Sequence, residues 1–203
     1  MLGMSDVYEK NPNPQGKGLV PMLSHWQAFR PRGVNAKTAQ AVLLDLFTST
    51  LVLSAEFHFR PVVGQRYFLY WRADGWRLSL IGPQEWGQRA AGVCLGECEL
   101  REDMTWQLNA EASLAESASL RDAVAVLLED FLLDLDTDEP LTERLPGYRA
   151  DLPYYRRLFA SGLSASLRES LRQSRSAGMA SRAFLLAEGR GLQQGQQRIG
   201  ATE

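Results

Sequence analysis

A chain of 203 residues, 45% hydrophobic and with a net charge of −2, has the make-up of an ordinary globular protein with room for one substantial core. No run of about 18 consecutive apolar residues occurs, so no membrane helix is expected. The near-balanced charge offers no general affinity for nucleic acid, and none is expected as a partner.

The first residues, MLGMSDVYEKNPNPQGKG, lack the charged start and continuous apolar run of a signal peptide, so a cytoplasmic protein is expected. Asn11-Pro12-Asn13-Pro14 holds each residue before proline extended, so residues 1–18 read as an arm. Gly16-Lys17-Gly18 resembles a phosphate-binding loop only superficially, because the upstream glycine and the following Ser or Thr are missing. A short helix is expected over Leu19–Phe29. Asn35 to Ser54 then reads as a helix opened by a capping Asn, with Ala39, Val42, Leu43, Leu46, Phe47 and Leu51 at helical spacing. Its β-branched end, STLVLS, is equally compatible with a strand.

Glu56–Arg60 (EFHFR) alternates and predicts a first strand, in which His58 points away from Phe57 and Phe59. Three of the five tryptophans then gather in Tyr67–Gly87, YFLYWRADGWRLSLIGPQEWG. Asp74-Gly75 predicts a type I′ hairpin turn, which pairs Arg72 with Arg77, Trp71 with Leu78 and Tyr70 with Ser79. Period-two alternation puts Leu69, Trp71, Trp76, Leu78 and Leu80 on a core face and Phe68, Tyr70, Arg72, Arg77, Ser79 and Ile81 on an amphipathic face. Two arginines directly opposite repel, so the pairing calls for solvation, an acidic neighbour or a bound anion. A second hairpin is predicted from Gly92–Leu100 and Met104–Leu108 around Arg101-Glu102-Asp103, with Trp106 buried.

Helices follow. Ser119–Leu135 begins Ser-x-x-Asp and carries Leu120, Val124, Leu127, Leu128, Phe131 and Leu135 on one stripe. Pro153 fits the first turn of another helix bearing Leu158, Phe159, Leu163, Leu167 and Leu171, and a shorter one is expected over Ala180–Glu188. From Gly189 the apolar content nearly vanishes, which reads as a flexible tail. Residues 97–143 hold fourteen acids against two arginines, and residues 151–203 eight arginines against four acids. The two stretches either complement each other internally, or the arginines reach an acidic partner or RNA.

The candidate chemistry is thin. Cys94 and Cys98, four apart in a strand, lie roughly 13 Å apart, too far for a disulfide, and read as buried thiols. His25 and His58 stand without metal-ligand spacing, and Asp134-Leu-Asp136-Thr-Asp138 starts like a calcium loop but has Glu139 and Leu145 where Gly and Glu are required. Neither a metal nor a cofactor is expected. No G-x-S-x-G turn marks a nucleophile. Glu85 beside Trp86 is one carboxylate without a visible partner, and Trp86 is expected to fold back on the sheet.

The aromatic strand YFLYWR, the Asp-Gly turn, LSLI and Gly-Pro-Gln-Glu-Trp-Gly together resemble a family of small uncharacterised proteins, a domain of unknown function in bacteria and eukaryotes. Its members share a Tyr-rich hairpin followed by a Pro-x-Glu-Trp-Gly element. The likeness covers residues 11–87 and implies a fold element without catalytic residues.

The expected fold is α+β: an Asn/Pro/Gly-rich arm (1–18), a core domain (19–150) with a mostly antiparallel sheet of about five short strands, a helical appendage (151–188) and a tail (189–203). The functional expectation is a non-enzymatic binding or adaptor protein contacting an unidentified protein partner. Its contact surface is the Tyr70/Arg72/Arg77 face or the arginine-bearing C-terminal helix. The alternatives are a small-molecule or phosphate-dependent enzyme, in which His58, Arg72, Arg77 and Glu85 converge on an anionic small molecule between sheet and helices, and an RNA-associated accessory protein.

Overall fold

The computed structural model describes residues 27, 29–86, 92–111, 113–147 and 152–187. The expected arm, most of the helix over 19–29 and the tail lie outside them. Helix α1 (Ala39–Ser54) begins at Thr38, whose hydroxyl accepts a hydrogen bond from the Ala41 N–H at 3.2 Å. Asn35 is not the cap: its side-chain amide donates to the Gly33 carbonyl, and its own carbonyl accepts from the Ser170 hydroxyl at 2.8 Å. The β-branched end stays helical through Ser54. Propensity differences of a few tenths of a kcal/mol yield there to the burial of Leu51, Val52 and Leu53.

Four strands, β1 (Arg66–Arg72), β2 (Gly75–Ser79), β3 (Val93–Leu100) and β4 (Trp106–Ala110), form one antiparallel sheet in the order β2-β1-β3-β4. The predicted α+β class therefore holds, with four strands in place of five. Glu56–Arg60 shrinks to a single parallel bridge, in which Glu56 N–H donates to Trp76 O and Leu78 N–H to Glu56 O. The alternation that suggested a strand is real, since Phe57 is buried and His58 exposed. Its rings, however, turn toward β1, with Phe57 5.6 Å from Phe59 and Phe59 stacked 5.4 Å from Tyr67, and Pro61 has no N–H to extend a ladder.

The first hairpin pairs two residues out of the predicted register, with its two-residue turn one position earlier. Trp71 faces Trp76, Tyr70 faces Arg77, and Arg72 faces Gly75. The turn residues are Ala73 and Asp74, neither with positive φ; the positive angle, 128°, belongs to Gly75 as the first residue of β2. Because the slip is even, the faces survive, with Leu69, Trp76 and Leu78 buried and Trp71 half-buried. Leu80 lies beyond β2 and is 51% exposed, so it leaves the predicted core face. The predicted arginine clash disappears with the register.

Between β1 and β3 the partner of Leu69 is Gly96 but that of Tyr70 is Cys94, so Leu95 is an extra residue in β3. This bulge reverses the alternation. Cys98 joins the main core with Tyr67, whereas Cys94 packs with Tyr70 on the opposite face.

The main core fills the other side of the sheet. Tyr67, Trp106 and Phe159 form a chain of edge contacts, 5.5 Å and 5.8 Å between centroids. After the sheet come α2 (Ser113–Glu116), α3 (Ala118–Leu135), α4 (Leu141–Arg144), α5 (Tyr154–Gln173) and a short helix α6 over 181–187. Ser117, two residues before the predicted start, caps α3 by accepting from the Leu120 N–H. Helix α5, expected in the appendage, buries Leu158, Phe159, Leu163, Leu167 and Leu171 in the same core as the sheet. Gly162 makes the close approach possible, because a Cβ there would meet the Phe29 carbonyl oxygen at 2.5 Å.

The acidic and arginine-rich stretches pair internally: Arg182 holds Asp136 and Asp138, and Arg168 reaches Glu143. These exposed pairs contribute about 0 to 1 kcal/mol each. Among the described residues, no helix is long and apolar enough to cross a membrane.

Candidate functional site

Tyr70 is buried, because the chain after β2 folds over it. A 3₁₀ turn (Pro83–Glu85) is closed by Glu85, whose carboxylate accepts from the Gly82 N–H at 2.9 Å. The turn delivers Trp86 onto Tyr70: the indole N–H donates to the phenol oxygen at 3.1 Å, and the phenol donates to Ile81 O at 2.9 Å. Trp86 thus folds back as expected. Burial pushes the Tyr70 phenol up to about 12. It does the same to Cys94, helped by the Glu111 carboxylate, and to Cys98, each up to about 12. Both thiols are free, buried and fully protonated near neutrality. An aromatic disulfide reagent at pH 8 is therefore expected to label neither until denaturant is added; labelling of the folded protein within minutes would show that β3 opens readily.

The other candidate residues are engaged in three places. His58 and Arg77 come together on Glu56, at 3.0 Å and 3.1 Å from its two carboxylate oxygens. Their hydrogen bonds hold the fully exposed Glu56 carboxyl below its usual range. Arg72 pairs with Asp74 across the turn at 3.3 Å. Glu85 serves its turn. Asp136 and Asp138 of the calcium-like run are taken by Arg182, and among the described residues no group of three or more His, Cys, Asp or Glu is placed to hold a metal ion.

A different region is open. Between the β1–β2 hairpin and α3 runs a groove of about 590 Å³, with Trp71, Trp76, Ala123, Val126 and Leu127 as its apolar surface and Asp122 and Asp130 beside them. The two indoles lie 4.9 Å apart at 52°. Leu127 and Asp130 also line a second depression of about 260 Å³ that runs on past Phe47, Phe131 and Asp134. Helix α3 seats its predicted stripe on the core, with Val124, Leu127 and Phe131 half-buried and Phe131 5.3 Å from Phe47, and leaves its other flank open. Leu120 and Leu135 are buried, whereas the predicted stripe residue Leu128 is 40% exposed and Val126 and Leu133 are 59% and 74% exposed. Among the described residues, neither Asp122 nor Asp130 makes an ion pair. The sequence placed Trp71 and Trp76 on the right face and the helix beside them. Asp122, Val126 and Asp130 carry no signal in the sequence because they lie off the apolar stripe.

Residues 34–129 match the family model described as Protein of unknown function (DUF2452). The DUF2452 segment agrees with the resemblance drawn from the aromatic hairpin, and it corrects its limits. It omits the Asn-Pro arm and runs on through the second hairpin into α3. It contains every groove residue named above except Asp130, Phe131 and Asp134. No curated protein and no solved structure matches the chain.

Proposed function

We propose that the protein is a cytoplasmic, non-enzymatic binding protein whose contact surface is the groove between the β1–β2 hairpin and α3. The observation that carries the reading is an open, tryptophan-lined apolar trough beside a helix with large apolar residues left in solvent. Aromatic residues in such a trough are the kind that dominate binding energy. The candidate polar residues support the same reading, since they are held by structural hydrogen bonds and ion pairs in three separate places: His58 and Arg77 on Glu56, Arg72 on Asp74, and Glu85 in its own turn. Two buried free cysteines suit a reducing compartment.

The test is site-specific photo-crosslinking in cells. With a photoreactive amino acid in place of Val126, a discrete heavier adduct is expected; in place of Leu44, on the exposed side of α1, none is. Absence of an adduct at Val126, or equal adducts at both positions, would overturn the reading.

A further inference from the structure

We infer that the groove receives a basic amphipathic segment of a partner protein, with lysine or arginine side chains set against Asp122 and Asp130 and apolar side chains on the tryptophan pair. The inference rests on the binding-protein reading and adds the chemistry of the occupant. Charge selects it. Asp122 and Asp130 border the apolar surface and, among the described residues, make no ion pair, whereas the acids at the C-terminal end of α3 and just beyond it are matched: Asp134 by Arg144, and Asp136 and Asp138 by Arg182. An occupant without cations would leave two carboxylates half-desolvated and uncompensated, whereas one bearing them gains charge-assisted hydrogen bonds.

The aromatic surface agrees. The half-buried Trp71 indole, backed by Trp76, attracts a guanidinium or ammonium group as well as the methylenes that carry it, and no cation of the described residues sits on it. Length argues for a segment over a single small cation. The two carboxylates of the groove, Asp122 and Asp130, stand eight residues apart along α3, about 12 Å at 1.5 Å per residue. That span matches about two turns of an opposing helix, whose apolar residues at steps of three and four would reach Trp71, Val126 and Leu127.

The probe is a short fluorescently labelled peptide with Leu at every third or fourth position and Lys between, titrated into the full chain and followed by anisotropy. Saturable binding is expected, weakened about ten-fold in the Asp122→Asn/Asp130→Asn double variant and further reduced by added salt. Both aspartates are solvent-exposed, so that variant retains the fold, which circular dichroism checks.

Three comparisons separate the alternatives. A peptide with Glu for Lys binding equally well would overturn the choice of a basic occupant. A peptide with Ser for Leu binding equally well would reduce the effect to plain charge attraction and overturn docking. Self-association of the protein that vanishes in the double variant would make the occupant a second copy of this chain and overturn a separate partner. Crosslinking at Val126 without binding of the Lys/Leu peptide would sink this inference and leave the binding-protein reading standing; no crosslinking at Val126 would sink that reading itself.

Discussion

Replacing Trp106 by alanine is expected to destabilise the protein by about 3 to 5 kcal/mol, the range for truncating a large buried aromatic. Trp106 is fully buried and links the two halves of the core, with Tyr67 of the sheet on one edge and Phe159 of α5 on another. Its backbone N–H donates to the Ser49 hydroxyl of α1 at 3.0 Å, so three elements meet at this residue. Among the described residues, the indole N–H finds no hydrogen-bond partner. Trp106→Phe therefore forfeits packing volume but no hydrogen bond, and a loss of about 1 to 2 kcal/mol is expected. Equilibrium urea unfolding of the two variants measures the difference. Equal losses would show that the hole left by the indole collapses no better around a phenyl ring than around a methyl group.

Asp45→Ala is the second large effect, on the order of 3 kcal/mol, because it strips a charge from a partly buried network. The Asp45 carboxylate sits on α1 between Lys37, 2.6 Å away, and the Arg101 guanidinium at the β3–β4 turn. Lys37 also reaches Asp103 at 2.5 Å, so two acids and two bases tie the approach to α1 to the turn of the second hairpin. Removal of Asp45 leaves two cations facing one carboxylate. Asp103 carries the pH dependence of this network. Burial alone would raise its carboxyl, but hydrogen bonds from Lys37 and Thr105 and the lysine charge outweigh that and hold it below the ordinary carboxylate range. A lowered pKa in the folded state means stability that is complete above the ordinary value and fades as pH falls through the folded one. The wild type is thus expected to lose stability steeply below about pH 4, and Lys37→Met less steeply. Urea midpoints at pH 7 and pH 3.5 check both statements; parallel acid losses in the two proteins would contradict them.

The sequence reading succeeded where a local period sufficed. Leu69, Trp76 and Leu78 were placed on the buried face by alternation alone, and Leu158 through Leu171 by steps of four. It failed where two local signals competed or where the answer was non-local. Asp74-Gly75 carries a strong turn signature, yet Gly75 uses its positive φ to begin β2, one residue later than a type I′ turn requires. Ser117 and Ser119 are both acceptable caps two residues apart, and their hydroxyls lie 3.2 Å from each other. The extra residue at Leu95 has no signature at all, since a bulge is defined by the partner strand. The groove was illegible for the same reason. Which flank of α3 faces the hairpin depends on how Leu120, Phe131 and Leu135 seat the helix on the core, a contact with residues remote in sequence such as Phe47.

The close pair of tryptophans at the hairpin also has an optical consequence. Two indoles 4.9 Å apart and inclined at 52° couple their electronic transitions. The hairpin thus adds its own exciton signal to the far-ultraviolet spectrum, separate from the helical bands and absent once either ring is removed. Anything that settles between the hairpin and α3 must shift the angle or the polarity around those rings. The protein carries, without a label, a gauge of whether that surface is occupied.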